Sequence, residues 1–159
     1  MTTLTVMVDD NLIVVDEKAV STDYDFPSNL WAIQWDGTEG EIEWTDGPNT
    51  EATLSFVQPY IDSWNATSDA NHEDRKQQEM SQDPADYMRK QRTFKLKETD
   101  EWALSDRTMT SEQAVYRQTL RDLPDHATDW NPVITWDDSD ADRDNHTAVF
   151  SGVTWPTKP

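Results

Sequence analysis

The chain has 159 residues, 35% of them hydrophobic, with eight Trp, no Cys and a formal net charge of −19. The absence of Cys excludes a disulfide framework, a thiolate zinc site and a cysteine nucleophile. So acidic a balance repels a phosphate backbone and excludes nucleic acid as an expected partner.

A chain of this length forms one compact domain or two small ones and buries about two-thirds of its unfolded surface. With eight Trp and few aliphatics, the core is expected to rest on a handful of large rings. The N-terminus lacks the basic and apolar regions of a signal peptide, and no apolar run approaches a membrane span, so a soluble cytoplasmic protein is expected. Charge is unevenly placed. Residues 1–66 carry thirteen acids and one base, residues 67–124 twelve and ten, and residues 125–159 seven and two. Any acidic partner should therefore meet the middle segment, while the acidic ends keep the chain soluble and discourage self-association.

In chain order, Leu4, Val6 and Val8 alternate with polar residues and Leu12 to Val15 forms an apolar run after Asp9-Asp10-Asn11, which predicts a β-hairpin. An acidic loop broken by Pro27 follows. Trp31, Ile33 and Trp35 alternate again, Asp36-Gly37-Thr38-Glu39-Gly40 supplies a turn, and Ile42 and Trp44 complete a second hairpin with Glu41 and Glu43 on its opposite face. That pair reads as a solvated sheet face and not as a glycosidase acid/base pair, since no acidic partner in an apolar pocket accompanies it. Phe56, Val57, Tyr60, Ile61 and Trp64 fall on one helical arc that Ser55 can cap, with Pro59 at the fourth position.

Residues 67–82 are almost wholly polar and read as a linker or an exposed helix. At Asp83-Pro84 an N-cap and a proline suited to the first helical position restart order, and Asp86 can pair with Lys90. From Thr110 to Pro124 both ends of a helix are written in the sequence. Thr110 and Gln113 have the spacing of a capping box, and Pro124 disfavours helical geometry at Leu123. Tyr116, Leu120 and Leu123 make its apolar stripe, bordered by Arg117 and Arg121, and the two helices suggest a helical hairpin. Beyond it Val133, Ile134 and Trp136 suggest a short strand. Asp138, Asp140 and Asp142 resemble the start of a calcium loop, but Arg143 replaces the turn glycine and Val149 the bidentate acid, so a solvated acidic loop is expected and no metal is assigned. Val153 to Pro159 is an extended, proline-stiffened tail whose Trp155 either docks or stays exposed.

The expected fold is therefore α+β: a small antiparallel β-hairpin unit with a covering helix over 1–66, a polar segment over 67–82, and a helical hairpin with an extended C-terminal tail over 83–159. Tyr116-Arg-Gln-Thr-Leu-Arg-Asp-Leu-Pro124 together with Trp155-Pro-Thr-Lys-Pro159 resembles the tail assembly chaperone domains of tailed bacteriophages, a group that includes tail-fibre assembly proteins. Arg92, Leu96, Thr99-Asp100, Trp102, Asp106 and Met109 extend the resemblance over roughly residues 88–159, and Gln34-Trp35-Asp36-Gly37 is similar to a small β-unit found ahead of such domains. Glu101 between Asp100 and Trp102, Gln113 in place of a common tryptophan, and a longer acidic segment before Trp155 depart from the pattern.

The resemblance implies a non-enzymatic protein that binds a phage tail or tail-fibre protein and assists its folding or attachment. It would act in the host cytoplasm during assembly or remain on the virion tail. The alternative is a permanent fibre, baseplate or adaptor subunit without a chaperone role, as a homo-oligomer or as part of a multi-subunit virion assembly. Tyr116, Arg117, Arg121 and Trp155 are residue types enriched at interface hot spots. The same types equally serve a domain's own core, with Arg117 and Arg121 paired to acids such as Asp122 or Asp125. An enzyme is not expected: His72, His126 and His146 stand in polar stretches without a metal-ligand or nucleophile motif, four Gly leave little for phosphate-cradling loops, and no cofactor is implied.

Overall fold

The computed structural model of the chain describes residues 1–104 and 107–159; Asp106, one of the residues that carry the resemblance, lies outside the described residues. The fold is α+β, in two compact units, Met1–Glu73 and Asp74–Pro159.

In the first unit the alternation of apolar and polar residues produces an antiparallel sheet. Strands β1 (Leu4–Met7) and β2 (Leu12–Val15) form the first hairpin, with Asn11 at φ 49°, a left-handed conformation that Asn tolerates. A second tight turn puts Asp16 and Glu17 at φ 46° and 68° and adds β3 (Lys18–Ser21), within a stretch expected to be loop. Strand β4 (Leu30–Trp35) returns beside β1, followed by β5 (Gly40–Trp44) and the two-residue β6 (Thr50–Glu51), giving the order β3-β2-β1-β4-β5-β6. The turn between β4 and β5 is fixed by Asp36, whose Oδ1 accepts from the backbone N–H of Thr38 at 2.8 Å and of Glu39 at 2.9 Å.

Period-two patterning sends Leu4, Val6, Ile13, Val15, Ile33, Trp35 and Ile42 to one face of the sheet. Helix α1 (Leu54–Met80) covers that face with Val57, Tyr60, Ile61 and Trp64. Rings do much of the packing: Tyr60 lies 5.0 Å from Tyr24, 6.0 Å from Phe26 and 5.9 Å from Phe56 between centroids, and Trp64 Nε1 donates to the Lys18 carbonyl at 2.8 Å. The helix starts one residue before the expected cap. Thr53 fills that role, its Oγ1 accepting from Phe56 N at 3.4 Å, while Ser55 lies inside the first turn. Pro59 consequently sits two positions deeper than expected, where its missing N–H removes one bond from the helical ladder. Residues 67–80, read as a linker or an exposed helix, continue α1 without a break, and the division between the two units falls inside it.

In the second unit the last turns of α1 are tied to the chain's end. Arg75 donates to the carbonyls of Arg143 (2.6 Å) and Asp144 (3.3 Å), and Glu79 Oε2 accepts from Ala148 N at 2.8 Å. Asp83 caps α2 (Pro84–Lys97), accepting from Ala85 N at 2.8 Å; Asp86 pairs with Arg89 at 2.8 Å and not with Lys90 as expected. After a 3-10 turn (Asp100–Ala103), the expected capping box opens α3 (Ser111–Asp122): Gln113 N donates to Thr110 Oγ1 at 3.2 Å and Thr110 N to Gln113 Oε1 at 3.0 Å. A 3-10 turn through Pro124 ends it.

The stretch after Pro124 is more ordered than its composition suggests. Strand β7 (Trp130–Asp137) contains the short strand expected at Val133, Ile134 and Trp136, and it pairs with an unexpected strand β8 (Thr147–Val153) in a second, two-stranded sheet that takes in Val153 of the expected tail. Helix α2 packs on its inner face, where Tyr87 stacks on Phe150 at 3.8 Å and Lys76 lies 6.0 Å from the Trp136 ring. The register shifts between Trp130 and Val133, and Gly152 occupies the gap at φ 82°; a Cβ there would lie 1.9 Å from the Asn131 carbonyl oxygen. The acidic loop between the strands turns its carboxylates on itself. Asp137, Asp140 and Asp142 accept from the backbone N–H groups of Ser139, Asp142 and Asp144, and among the described residues no acidic or histidine cluster is arranged to hold a metal. No helix of the described residues is long and apolar enough to cross a membrane.

Candidate partner-binding site

The two motifs that carry the resemblance come together in the second unit. Leu120 and Leu123, from the apolar stripe of α3, are buried, and Tyr116 joins them at 5% exposure with its ring 6.1 Å from Trp102. Burial, with Glu98's negative charge as the lesser cause, pushes the Tyr116 phenol above its ordinary pKa.

Arg117 is also turned inward, at 6% exposure. Its Nη1 donates to the Leu96 carbonyl at 3.1 Å and to Thr99 Oγ1 at 2.7 Å, and its Nη2 donates to Asp100 at 2.9 Å. Leu96 is in the last turn of α2, at the negative end of the helix dipole, where its carbonyl also accepts from Thr99 N at 3.1 Å and Thr99 Oγ1 at 2.9 Å. A guanidinium placed there satisfies the helix terminus and fastens α2 to α3. Its expected acids, Asp122 and Asp125, do not take part; Asp122 instead accepts from Gln118 Nε2 at 2.8 Å.

Trp155 docks. Thr154 N donates to the Asp129 carbonyl at 2.9 Å, and the Trp155 ring then stands edge-on to Trp130 at 6.4 Å and 87°. Lys95 lies 5.2 Å from its centroid, and Lys158 lies 5.6 Å from the Trp102 ring, so cation–π contacts press the tail onto the helices. Arg121 alone among the four expected residues is exposed; its carbonyl accepts from Arg92 Nη1 at 3.5 Å.

Between α3 and the tail lies a groove of about 430 Å³, predominantly apolar, whose apolar lining is Val115, Tyr116, Thr119, Pro156 and Pro159. Val115 is 65% exposed and forms the groove's apolar wall. Val115 and Thr119 sit four residues apart and share a helix face, a spacing that stands in the sequence but was overshadowed by the stronger stripe one position along. The groove's polar lining is Ser111, Glu112 and Thr157, with no basic side chain among the lining residues.

The chain matches no family model, no curated protein and no solved structure.

Proposed function

We propose that the chain is a phage tail or tail-fibre assembly protein that holds a segment of its partner in the groove between α3 and the C-terminal tail. One observation carries the reading. The two motifs on which the resemblance rests, far apart in sequence, both contribute to one predominantly apolar groove: Tyr116 and Thr119 from the first, Pro156, Thr157 and Pro159 from the second. Exposed Val115, with Pro156 and Pro159 opposite, supplies contact area, and exposed Arg121 supplies a directed donor on the same helix. Tyr116 lines the groove itself, while Arg117 and Trp155 act from beneath, by holding the walls in place.

Co-expression with neighbouring tail and fibre proteins, followed by co-purification, tests the proposal. A tail or fibre protein should co-purify with the wild type and be lost from Val115→Asp, a change on an exposed helix position that leaves the melting temperature close to that of the wild type. Retention of that partner by a folded Val115→Asp protein removes the groove from consideration. The copy number in purified particles then separates a transient chaperone, absent or substoichiometric, from a permanent subunit.

A further inference from the structure

Two surfaces outside the groove complement each other. The first is the face of the six-stranded sheet turned away from α1. Met7, Leu12, Val14 and Ala32 lie there half-buried; on the β5–β6 side Glu43 stands beside Ala32, and exposed Glu41 and Glu51 stand directly opposite each other across the two strands. Like charges in that position oppose the pairing they sit on. The whole unit carries fifteen acids and a single base, Lys18. It is an apolar surface in an acidic field.

The second surface is the outer stripe of α2. Arg89, Lys90, Phe94 and Lys97 lie with Asp86 and Thr93 on the exposed face of the helix, and Phe94 is 60% exposed. Arg89 is paired with Asp86 on the same face at 2.8 Å, which leaves Lys90 and Lys97 as the cations flanking the exposed ring. The stripe is the inverse of the sheet face, apolar at the centre and basic at the rim.

We infer that the outer stripe of α2 in one copy of the chain docks on the open sheet face of a second copy, with Phe94 on the apolar centre and Lys90 and Lys97 toward Glu41 and Glu51. The two surfaces are different, so the contact is head to tail and propagates to a ring or an open chain of copies. The overall charge opposes association, but at physiological salt that repulsion is screened beyond about 8 Å while contacting charges are screened much less. The inference does not depend on the groove proposed above.

Sedimentation and light scattering over a range of concentration and salt test it. The wild type should grow in mass with concentration, most strongly near physiological salt and less at high salt, where the contacting charges are also screened. Lys90→Glu with Lys97→Glu should hold the chain at the mass of one copy, and so should Glu41→Lys with Glu51→Lys. All of these positions are exposed, and circular dichroism checks that each variant is folded. Mixing the two monomeric variants should restore association, because each then offers the other an oppositely charged surface. A wild type that keeps the mass of one copy at every concentration overturns the inference, as does association that survives either charge reversal. Binding of a polyglutamate peptide or a short DNA duplex to a monomeric wild type would assign the α2 stripe to a different occupant, with the same result.

Discussion

Arg117 and Thr99 meet at 2.7 Å inside the second unit, the guanidinium 6% exposed and the threonine fully buried. Their contact joins the end of α2 to the middle of α3, and the Leu96 carbonyl is satisfied by both. The ion pair with Asp100 adds less, because that carboxylate is 64% exposed and its field is screened by water.

Replacing Arg117 with Ala should therefore destabilise the protein by about 2–3 kcal/mol, by removing the buried charge-assisted bonds to Thr99 Oγ1 and the Leu96 carbonyl, which then keep only their local bonds to each other. Asp100→Ala should cost less than about 1 kcal/mol, as a mostly exposed pair does. Urea denaturation of the two variants gives the comparison, and equal losses would contradict this division.

Leu120 and Val115 separate packing from recognition on one helix. Leu120 is fully buried, and Leu120→Ala should cost about 2–5 kcal/mol. Val115 is 65% exposed, and Val115→Ala should change stability by no more than about 0.5 kcal/mol. Thermal melts of both proteins check the contrast.

Thr110→Ala removes the capping box and leaves Gln113 N without its side-chain acceptor. The expected loss is about 1 kcal/mol, with Thr110→Ser retaining most of the stability. Chemical denaturation followed by far-ultraviolet circular dichroism reads both.

Two tyrosines give stability an alkaline limit. Burial raises the pKa of Tyr60, with Tyr24 a lesser cause, and burial raises that of Tyr116. A phenol whose folded pKa is raised contributes stability that is fully present below the unfolded value of about 10 and is lost as pH rises through the folded value. Tyr60→Phe with Tyr116→Phe should flatten the fall in melting temperature above pH ~10.

Asp36 sets an opposite, acidic limit. Hydrogen bonds from the Glu39 and then the Thr38 backbone hold its carboxyl below the ordinary range. Its contribution is present above the unfolded value of about 3.9 and disappears as pH falls through the lower folded value. Asp36→Asn should reduce the pH dependence of the melt in that window, and an unaltered acid limb would rule out this turn as a source of it.

The elements with local signatures were legible. Alternation marked β1, β2, β4 and β5, and side-chain caps marked the starts of α2 and α3. Strand β3 was not, because it follows a turn made by Asp16 and Glu17 in left-handed conformations, without the Gly or Asn that normally announces one. Strand β8 was hidden behind the acidic loop, although Ala148 and Phe150 alternate with exposed neighbours. The polar half of α1 has no apolar stripe to reveal it, and its later turns are held by Arg75 and Glu79 gripping backbone groups some seventy residues away. Arg117 shows the same limit. Its spacing placed it beside the apolar stripe, but its principal acceptors include a helix-end carbonyl, which has no signature in sequence.

Gly152 carries a consequence at the level of the gene. Any change in the first or second base of a glycine codon gives a stop or adds the Cβ that the Asn131 carbonyl leaves no room for. Among single-base substitutions at this codon, only the silent ones preserve the close approach of β7 and β8.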